Sequence, residues 1–306
     1  MKNSIQVKIC IVLIVSLSLT MASCQPVHNA SYSHSSQRTW LKTIHWDEED
    51  RIGSLNGADI LIAVIGPRID AMHPDLIGKV SEEIYLGKDM EIPKTYEKGT
   101  CIAGVICARP YLTDGALGIA SEAGLMSIVL GASSPFFGPD EPVDAALMAS
   151  GIRQATEREP DIILITQNVP EDSDDLKRAV DAAYQAGIVV IAPVTEDGIY
   201  PVKYPNVLAV DMLEKLQNGS VVGSEEVIYL PGSAYTTTSS YYSPVRYASE
   251  GGTELSAAVL AGTVAVILGD VPQTTQEDIY ECFKGWYDKE LNLSELLQEL
   301  KHKYGG

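Results

Sequence analysis

Residues 161–194, DIILITQNVPEDSDDLKRAVDAAYQAGIVVIAPV, decide the fold class of this chain. The apolar runs 161–168 and 187–194 are continuous rather than alternating, which is typical of strands buried on both faces of a sheet. Between them, residues 173–187 start with a serine followed by acidic residues and end at a glycine, which predicts a capped helix. A strand, a helix and a strand in this order predict parallel pairing through a right-handed crossover.

The same alternation continues along the rest of the chain. The apolar composition predicts further strands at 58–66 and 124–132 and further helices at 98–108, 141–158 and 254–268. The stretch 229–250 is polar and rich in Tyr, Ser and Thr. The sequence therefore predicts an α/β fold with a mainly parallel, doubly wound sheet. We find no internal repeat and no domain boundary within residues 41–306.

Length and charge exclude several classes of protein. The 306 residues are enough to bury a sizeable core. The chain has 22 Lys and Arg against 41 Asp and Glu, a formal net charge of −19. Nucleic-acid binding needs a basic surface, so we expect no nucleic-acid partner. The same charge gives no polybasic attraction to anionic lipid.

The amino terminus has the pattern of an export signal. Two lysines precede the apolar run 9–19, which is too short for a stable membrane span, so residues 1–23 are predicted to be a signal peptide. Residues 21–24, MASC, resemble the lipobox of bacterial lipoproteins, and this resemblance implies acylation of Cys24. An ordinary cleaved signal or an uncleaved anchoring helix are the alternatives. Residues 24–40 are expected to be a tether, and the protein an exported, membrane-anchored lipoprotein on the periplasmic or cell-surface side.

The remaining cysteines show no metal-site or redox pattern. Beyond Cys24, the chain contains Cys101, Cys107 and Cys282, and no CxxC spacing occurs. We expect Cys101 and Cys107 to be small buried hydrophobic residues.

Six segments resemble motifs of the subtilase (subtilisin-like serine peptidase) family and occur in the family's order. They are IAVIGPRIDAMHPDL (62–76), KGTCIAG (98–104), GALGIASEAGLMSIVL (115–130), DLKRAVDAAYQAGIVVIAPVTEDG (175–198), YPVKYPNVLAV (200–210) and GGTELSAAVLAGTVAVIL (251–268). The resemblance covers about residues 45–285, nearly the whole chain after the tether. It implies a subtilisin-like three-layer fold.

The resemblance fails at the positions that carry the chemistry. Subtilases use an Asp, a His and a Ser together with a side-chain donor that stabilises the oxyanion. The matching positions here are Gly66, Lys98, Glu254 and, for the oxyanion donor, Glu196. A glycine orients nothing, a lysine ammonium accepts no proton, a carboxylate is a weak nucleophile, and a second carboxylate repels an oxyanion. We therefore expect no peptidase activity by this mechanism.

The replacements themselves predict an interaction. The family brings its His and Ser positions within hydrogen-bonding distance, so we expect an ion pair between Lys98 and Glu254, with Glu196 as a third participant. Solvated side chains lining a wet groove are the alternative.

The substrate-binding features also depart from the family. Its SLGG edge, whose backbone pairs with a peptide, aligns with Thr166, Gln167, Asn168 and Val169. Strand addition uses backbone groups and so remains available there, but the two new side chains are expected to narrow the pocket.

A calcium ligand of many subtilases aligns with Asp75. In the loop 110–116, which should complete that site, Leu112 replaces a ligand. We expect Asp75 to be a turn or cap residue, and neither a metal nor a cofactor to be bound.

These observations predict a non-catalytic subtilase homologue, a pseudoenzyme of the cell envelope that binds a peptide or protein partner. One alternative is a hydrolase that uses Glu254, Glu196 and Lys98 as a non-standard site. Another is a purely structural envelope protein.

Overall fold

A computed structural model describes ten parts of the chain: residues 41, 56–87, 97–111, 115–131, 143–196, 199–217, 226–232, 235–239, 247–287 and 292–304. All of them belong to one unit, Tyr32–Gly306. The predicted signal peptide (1–23), the expected acylation site Cys24 and the expected tether (24–40) lie outside the described residues, as does Leu112.

Parallel strands form the centre of the fold. Within the described residues, one sheet contains β1 (Leu61–Gly66), β2 (Val80–Leu86), β3 (Gly124–Leu130), β4 (Ile162–Ile165), β5 (Val189–Pro193), β6 (Leu208–Met212) and β7 (Val227–Leu230). Its spatial order is β2-β3-β1-β4-β5-β6-β7, and each neighbouring pair is parallel. The predicted α/β class with a parallel, doubly wound sheet is confirmed.

Helices cover both faces of this sheet. They are α1 (Glu97–Cys107), α2 (Ala145–Thr156), α3 (Asp174–Gln185), α4 (Leu213–Gln217), α5 (Thr253–Asp270), α6 (Gln276–Lys284) and α7 (Leu293–Tyr304). Alternate residues of β1 enter separate cores: Ile62 joins α1, α5, α6 and α7 on one face, and Ala63 joins α2 and α3 on the other. The result is the expected three-layer architecture.

Local sequence signals set the bounds of α3 as predicted. The Ser173 side chain accepts a hydrogen bond from the Leu176 backbone N–H at the start of the helix. Two residues after the helix ends, Gly187 adopts a φ of +83°, a conformation that costs a glycine little.

The helix α5 passes through the middle of the domain. Among the described residues it is the one helix long and apolar enough to cross a membrane, but 78% of that 18-residue window is buried inside the protein. Its alanines and glycines allow close approach of neighbouring elements: a Cβ at Gly262 would lie 2.9 Å from the Cβ of Ile119. We therefore assign α5 as a core helix.

The polar stretch 229–250 contains structure that its composition did not predict. Strands β8 (Tyr235–Thr238) and β9 (Tyr247–Glu250) form an antiparallel pair beside α1. The Thr237 and Thr238 hydroxyls donate to the backbone carbonyls of Cys101 and Thr100, at 2.8 and 2.6 Å. The two buried threonine hydroxyls thus find their acceptors on the backbone of α1.

The cysteine predictions are confirmed. Cys101 and Cys107 are buried and unpaired, and Cys282 is also free. Burial, reinforced by nearby Glu250 and Glu97, raises the pKa of the Cys101 thiol to about 12. Burial likewise raises the pKa of Cys107 to about 12, so neither thiol is an ionised nucleophile at neutral pH.

Candidate functional site

The residues that the sequence motifs align with the family's catalytic positions lie near the carboxyl ends of the parallel strands. Gly66 is the last residue of β1, while Thr166 and Glu196 follow β4 and β5. Lys98 and Glu254 lie in the first turns of α1 and α5. The chain runs from β1 to β2 and β3 on one side and then crosses to β4 on the other side, so the strand order reverses at β1. Open α/β sheets bind their ligands at such a topological switch point, outside the carboxyl ends of the strands.

The expected ion pair between Lys98 and Glu254 is present. Lys98 Nζ lies 2.5 Å from Glu254 Oε1. The lysine side chain is 60% exposed, and the glutamate side chain is 17% exposed. The glutamate is favoured at a helix start by the helix dipole, and it offsets the unfavourable position of the lysine at another helix start. An ammonium and a carboxylate thus meet at the two positions that the sequence motifs align with the family's base and nucleophile.

Close backbone packing fixes where α1 presents Lys98. A Cβ at Gly99 would lie 2.2 Å from the carbonyl oxygen of Arg68, so only glycine permits this approach to the loop after β1. The Asp70 backbone N–H donates to Thr100 Oγ1 at 2.9 Å. The first turn of α1 is therefore tied to the segment that follows Gly66.

The position of the family's Asp has no room for a side chain. A Cβ built on Gly66 would lie 1.8 Å from Thr166 Oγ1 and 3.2 Å from Thr166 Cβ. Gly66 has a φ of +156°, which side chains rarely adopt. The Thr166 hydroxyl is held there by donating to the Ile65 carbonyl at 3.1 Å. The sequence placed Thr166 only in a peptide-binding edge, and no signal in the sequence indicated this contact.

Glu196 does not join the ion pair. It is exposed, and among the described residues it has no ion-pair partner. Its expected participation in the Lys98–Glu254 pair is therefore not found.

The predicted peptide-binding edge is partly used by the chain itself. The Val169 N–H donates to the Tyr200 carbonyl at 2.8 Å, and the Tyr200 N–H donates to the Val169 carbonyl at 3.1 Å. Asn168 Nδ2 donates to the Pro193 carbonyl at 2.7 Å, and Val169 is buried. A peptide strand could pair at Val169 only by displacing this bridge, so the backbone groups left for a partner are those nearer Thr166 and Gln167.

Gln167 lies in the chain between Thr166, which contacts Gly66, and Asn168, which contacts Pro193. Its Oε1 atom is buried and has no hydrogen-bond partner among the described residues. A buried amide oxygen without a partner is costly, so this atom is suited to accept a hydrogen bond from a ligand.

The Asp75 carboxylate holds a loop through backbone hydrogen bonds. The Tyr111 N–H donates to Oδ1 at 2.8 Å and the Ala116 N–H donates to Oδ2 at 2.7 Å. The carboxylate is buried, and a Cβ at Gly115 would lie 2.8 Å from Oδ2. The described residues contain no group of three or more His, Cys, Asp or Glu side chains that could hold a metal ion. The predicted turn role fits this geometry.

The two histidines in the described part of the chain lie in other surroundings. His73 is fully buried, accepts a hydrogen bond from the Asp75 N–H at Nδ1, and meets the edge of the Tyr247 ring. His302 lies in α7, near the carboxyl end of the chain. Neither histidine aligns with the family's catalytic His, which the sequence motifs match to Lys98.

Comparison with known proteins agrees with this architecture. Subtilisin DY from Bacillus licheniformis is 31% identical over 241 residues, covering 73% of this chain and 81% of that protein. Subtilisin NAT from Bacillus subtilis subsp. natto is 29% identical over 234 residues, covering 73% of this chain and 59% of that protein. The structure of fervidolysin from Fervidobacterium pennivorans, a keratinolytic enzyme related to subtilisin, matches with a TM-score of 0.70 at 25% identity, covering 85% of this chain and 45% of that one.

The family assignment rests on the extent of the match as well as on these relatives. The Subtilase family model matches residues 57–291, a range that includes Gly66, Lys98, Glu196 and Glu254. The chain belongs to the subtilase family.

Proposed function

We propose that this protein is a non-catalytic subtilase that binds a peptide or protein partner at the remodelled cleft. The observation that carries the proposal is the contact between Gly66 and Thr166, because the Thr166 hydroxyl occupies the space that the Cβ of any side chain at position 66 would need. The Lys98–Glu254 ion pair supports it, since the ammonium carries no lone pair to accept a proton and the carboxylate is engaged. An exposed carboxylate at Glu196 in place of an oxyanion donor supports it further.

The cleft keeps features suited to recognition. It lies at the switch point of the sheet, and Lys98 remains 60% exposed there despite its pairing. Gln167, in the segment that follows β4, offers a buried amide oxygen that has no hydrogen-bond partner among the described residues. Side chains at Asn168 and Val169 would exclude a large partner side chain from the space beside β5. The partner is therefore expected to contact the cleft through its backbone and small or polar side chains.

A binding experiment separates this function from hydrolysis. The full chain is incubated with a biotinylated peptide pool, and both captured peptides and new peptide termini are identified by mass spectrometry, with an active subtilisin as the positive control. We expect capture of peptides without cleavage, and weaker capture by Lys98→Ala. Cleavage that is abolished by Glu254→Gln would instead support a hydrolase with a non-standard site.

We also propose that the protein is an exported lipoprotein attached to the membrane through Cys24. The support is the apolar run 9–19 followed by the lipobox-like residues 21–24. The test is incorporation of labelled fatty acid and membrane fractionation of the full chain and of Cys24→Ser in a bacterial host. Loss of both label and membrane association in the variant is expected, and membrane association without label would contradict lipidation.

A further inference from the structure

The contact between Gly66 and Thr166 bears on whether the lost chemistry can be regained. A Cβ at position 66 would approach Thr166 Oγ1 to 1.8 Å, far inside any van der Waals contact. Backbone movement is restricted, because β1 and β4 are paired in parallel up to Ile65 and Ile165 and the Thr166 N–H also donates to the Ile65 carbonyl. The clash must therefore be relieved by the Thr166 side chain.

Threonine is poorly able to give way at this position. Its two heavy atoms on Cβ fill two of the three staggered positions, and branching restricts rotation about χ1. Rotation would also break the 3.1 Å hydrogen bond from Oγ1 to the Ile65 carbonyl. A serine has one heavy atom on Cβ and two staggered rotamers that turn it away from position 66, whereas a valine keeps two branches and has only one such rotamer.

We propose that Thr166 locks the cleft in its non-catalytic form, so that restoring the family's catalytic side chains does not restore reactivity unless Thr166 is also changed. The inference rests on the proposed function. It adds a fifth position to the four that the sequence comparison identified, and it assigns to Thr166 a role distinct from pairing with a peptide.

The first test measures folding stability alone. Gly66→Ala is combined with Thr166→Ser and, as the matched control of equal branching, with Thr166→Val, and urea unfolding midpoints are compared. We expect Thr166→Ser to recover part of the midpoint lost by Gly66→Ala and Thr166→Val to recover none. Equal effects of Gly66→Ala in all three backgrounds would overturn the inference.

The second test measures reactivity. A restored chain carries Gly66→Asp, Lys98→His, Glu196→Asn and Glu254→Ser. Its labelling by a serine-directed fluorophosphonate is compared with and without Thr166→Ser. Loss of the orienting Asp costs about 10⁴-fold in a triad, so we expect labelling at position 254 to be at least about tenfold faster with Thr166→Ser.

The outcomes separate the two proposals. Equal labelling of both restored chains, including none in either, would overturn the lock at Thr166 and leave the proposed function standing. Labelling of the unaltered protein would instead overturn the proposed function, whatever the restored chains do.

Discussion

Replacing Asp75 tests whether its carboxylate stabilises the fold through its backbone hydrogen bonds. Asp75→Ala removes both acceptors and leaves the N–H groups of Tyr111 and Ala116 without their partner. A hydrogen bond to a charged group contributes about 1.5–3 kcal/mol, so two of them predict a loss of about 3–6 kcal/mol. That is a large part of the roughly 5–15 kcal/mol by which proteins are stable. Asp75→Asn keeps one acceptor oxygen, and we expect about half of this loss.

Urea unfolding monitored by circular dichroism measures the effect. The matched control is Asp144→Ala, since Asp144 also accepts from a backbone N–H, that of Leu147, but at an exposed helix start. Loss of such a cap costs about 1 kcal/mol. The predicted order of stability is therefore the unaltered chain, Asp144→Ala, Asp75→Asn and Asp75→Ala.

Metal removal tests whether Asp75 acts through hydrogen bonds alone or as a calcium ligand. Since both carboxylate oxygens accept backbone hydrogen bonds, the unfolding midpoint of the unaltered chain should be the same in EDTA and in excess calcium. A calcium-dependent rise that disappears in Asp75→Asn, or a cost of Asp75→Ala below that of Asp144→Ala, would refute the reasoning.

Two further predictions concern charged groups elsewhere in the domain. A double-mutant cycle of Lys98→Met and Glu254→Gln should give a coupling of about 0–1 kcal/mol in urea unfolding, because the lysine is 60% exposed, and a coupling above about 2 kcal/mol would show a stronger pair. At Asp278, burial by itself raises the carboxyl pKa, but hydrogen bonds from Lys303 and Thr275 outweigh it and hold that pKa below its usual range. The contacts therefore stabilise the fold above about pH 4 and are lost as the pH falls below it. In Asp278→Asn, the unfolding free energy should decline less steeply between about pH 4 and pH 2 than it does in the unaltered chain. An unchanged slope would contradict this.

The sequence predicted the strands that are buried on both faces and the helix that has clear cap signals. Strands β1, β3, β4 and β5 are apolar on both faces, and α3 has its cap signals at both ends. The edge strand β2 was missed because it contains an exposed Ser81 and Glu82 and a half-buried Glu83 rather than a continuous apolar run. Glu82 pairs with Arg158, 76 residues away in the chain, and Glu83 pairs with Arg68, 15 residues away. Local composition does not encode such contacts.

Within the candidate site, the sequence predicted only those contacts that follow from aligning its motifs with the family's. Matching the family's His and Ser positions was enough to predict the pairing of Lys98 with Glu254. The contact of Thr166 with Gly66 depends on the rotamer of the Thr166 side chain and on the pairing of β1 with β4. The hydrogen bond from Asn168 to the Pro193 carbonyl joins the segment after β4 to the end of β5. Such contacts follow from three-dimensional geometry rather than from residue types.

The most direct test of the central claim is labelling of the purified full chain with a serine-directed fluorophosphonate, followed by mass spectrometry of its peptides. An active subtilisin treated in parallel is the positive control. Because the sequence motifs align the family's serine with Glu254, we predict that no serine of this chain is labelled under conditions that saturate the control. A stoichiometric label on any serine, lost when the protein is unfolded beforehand, would contradict the account.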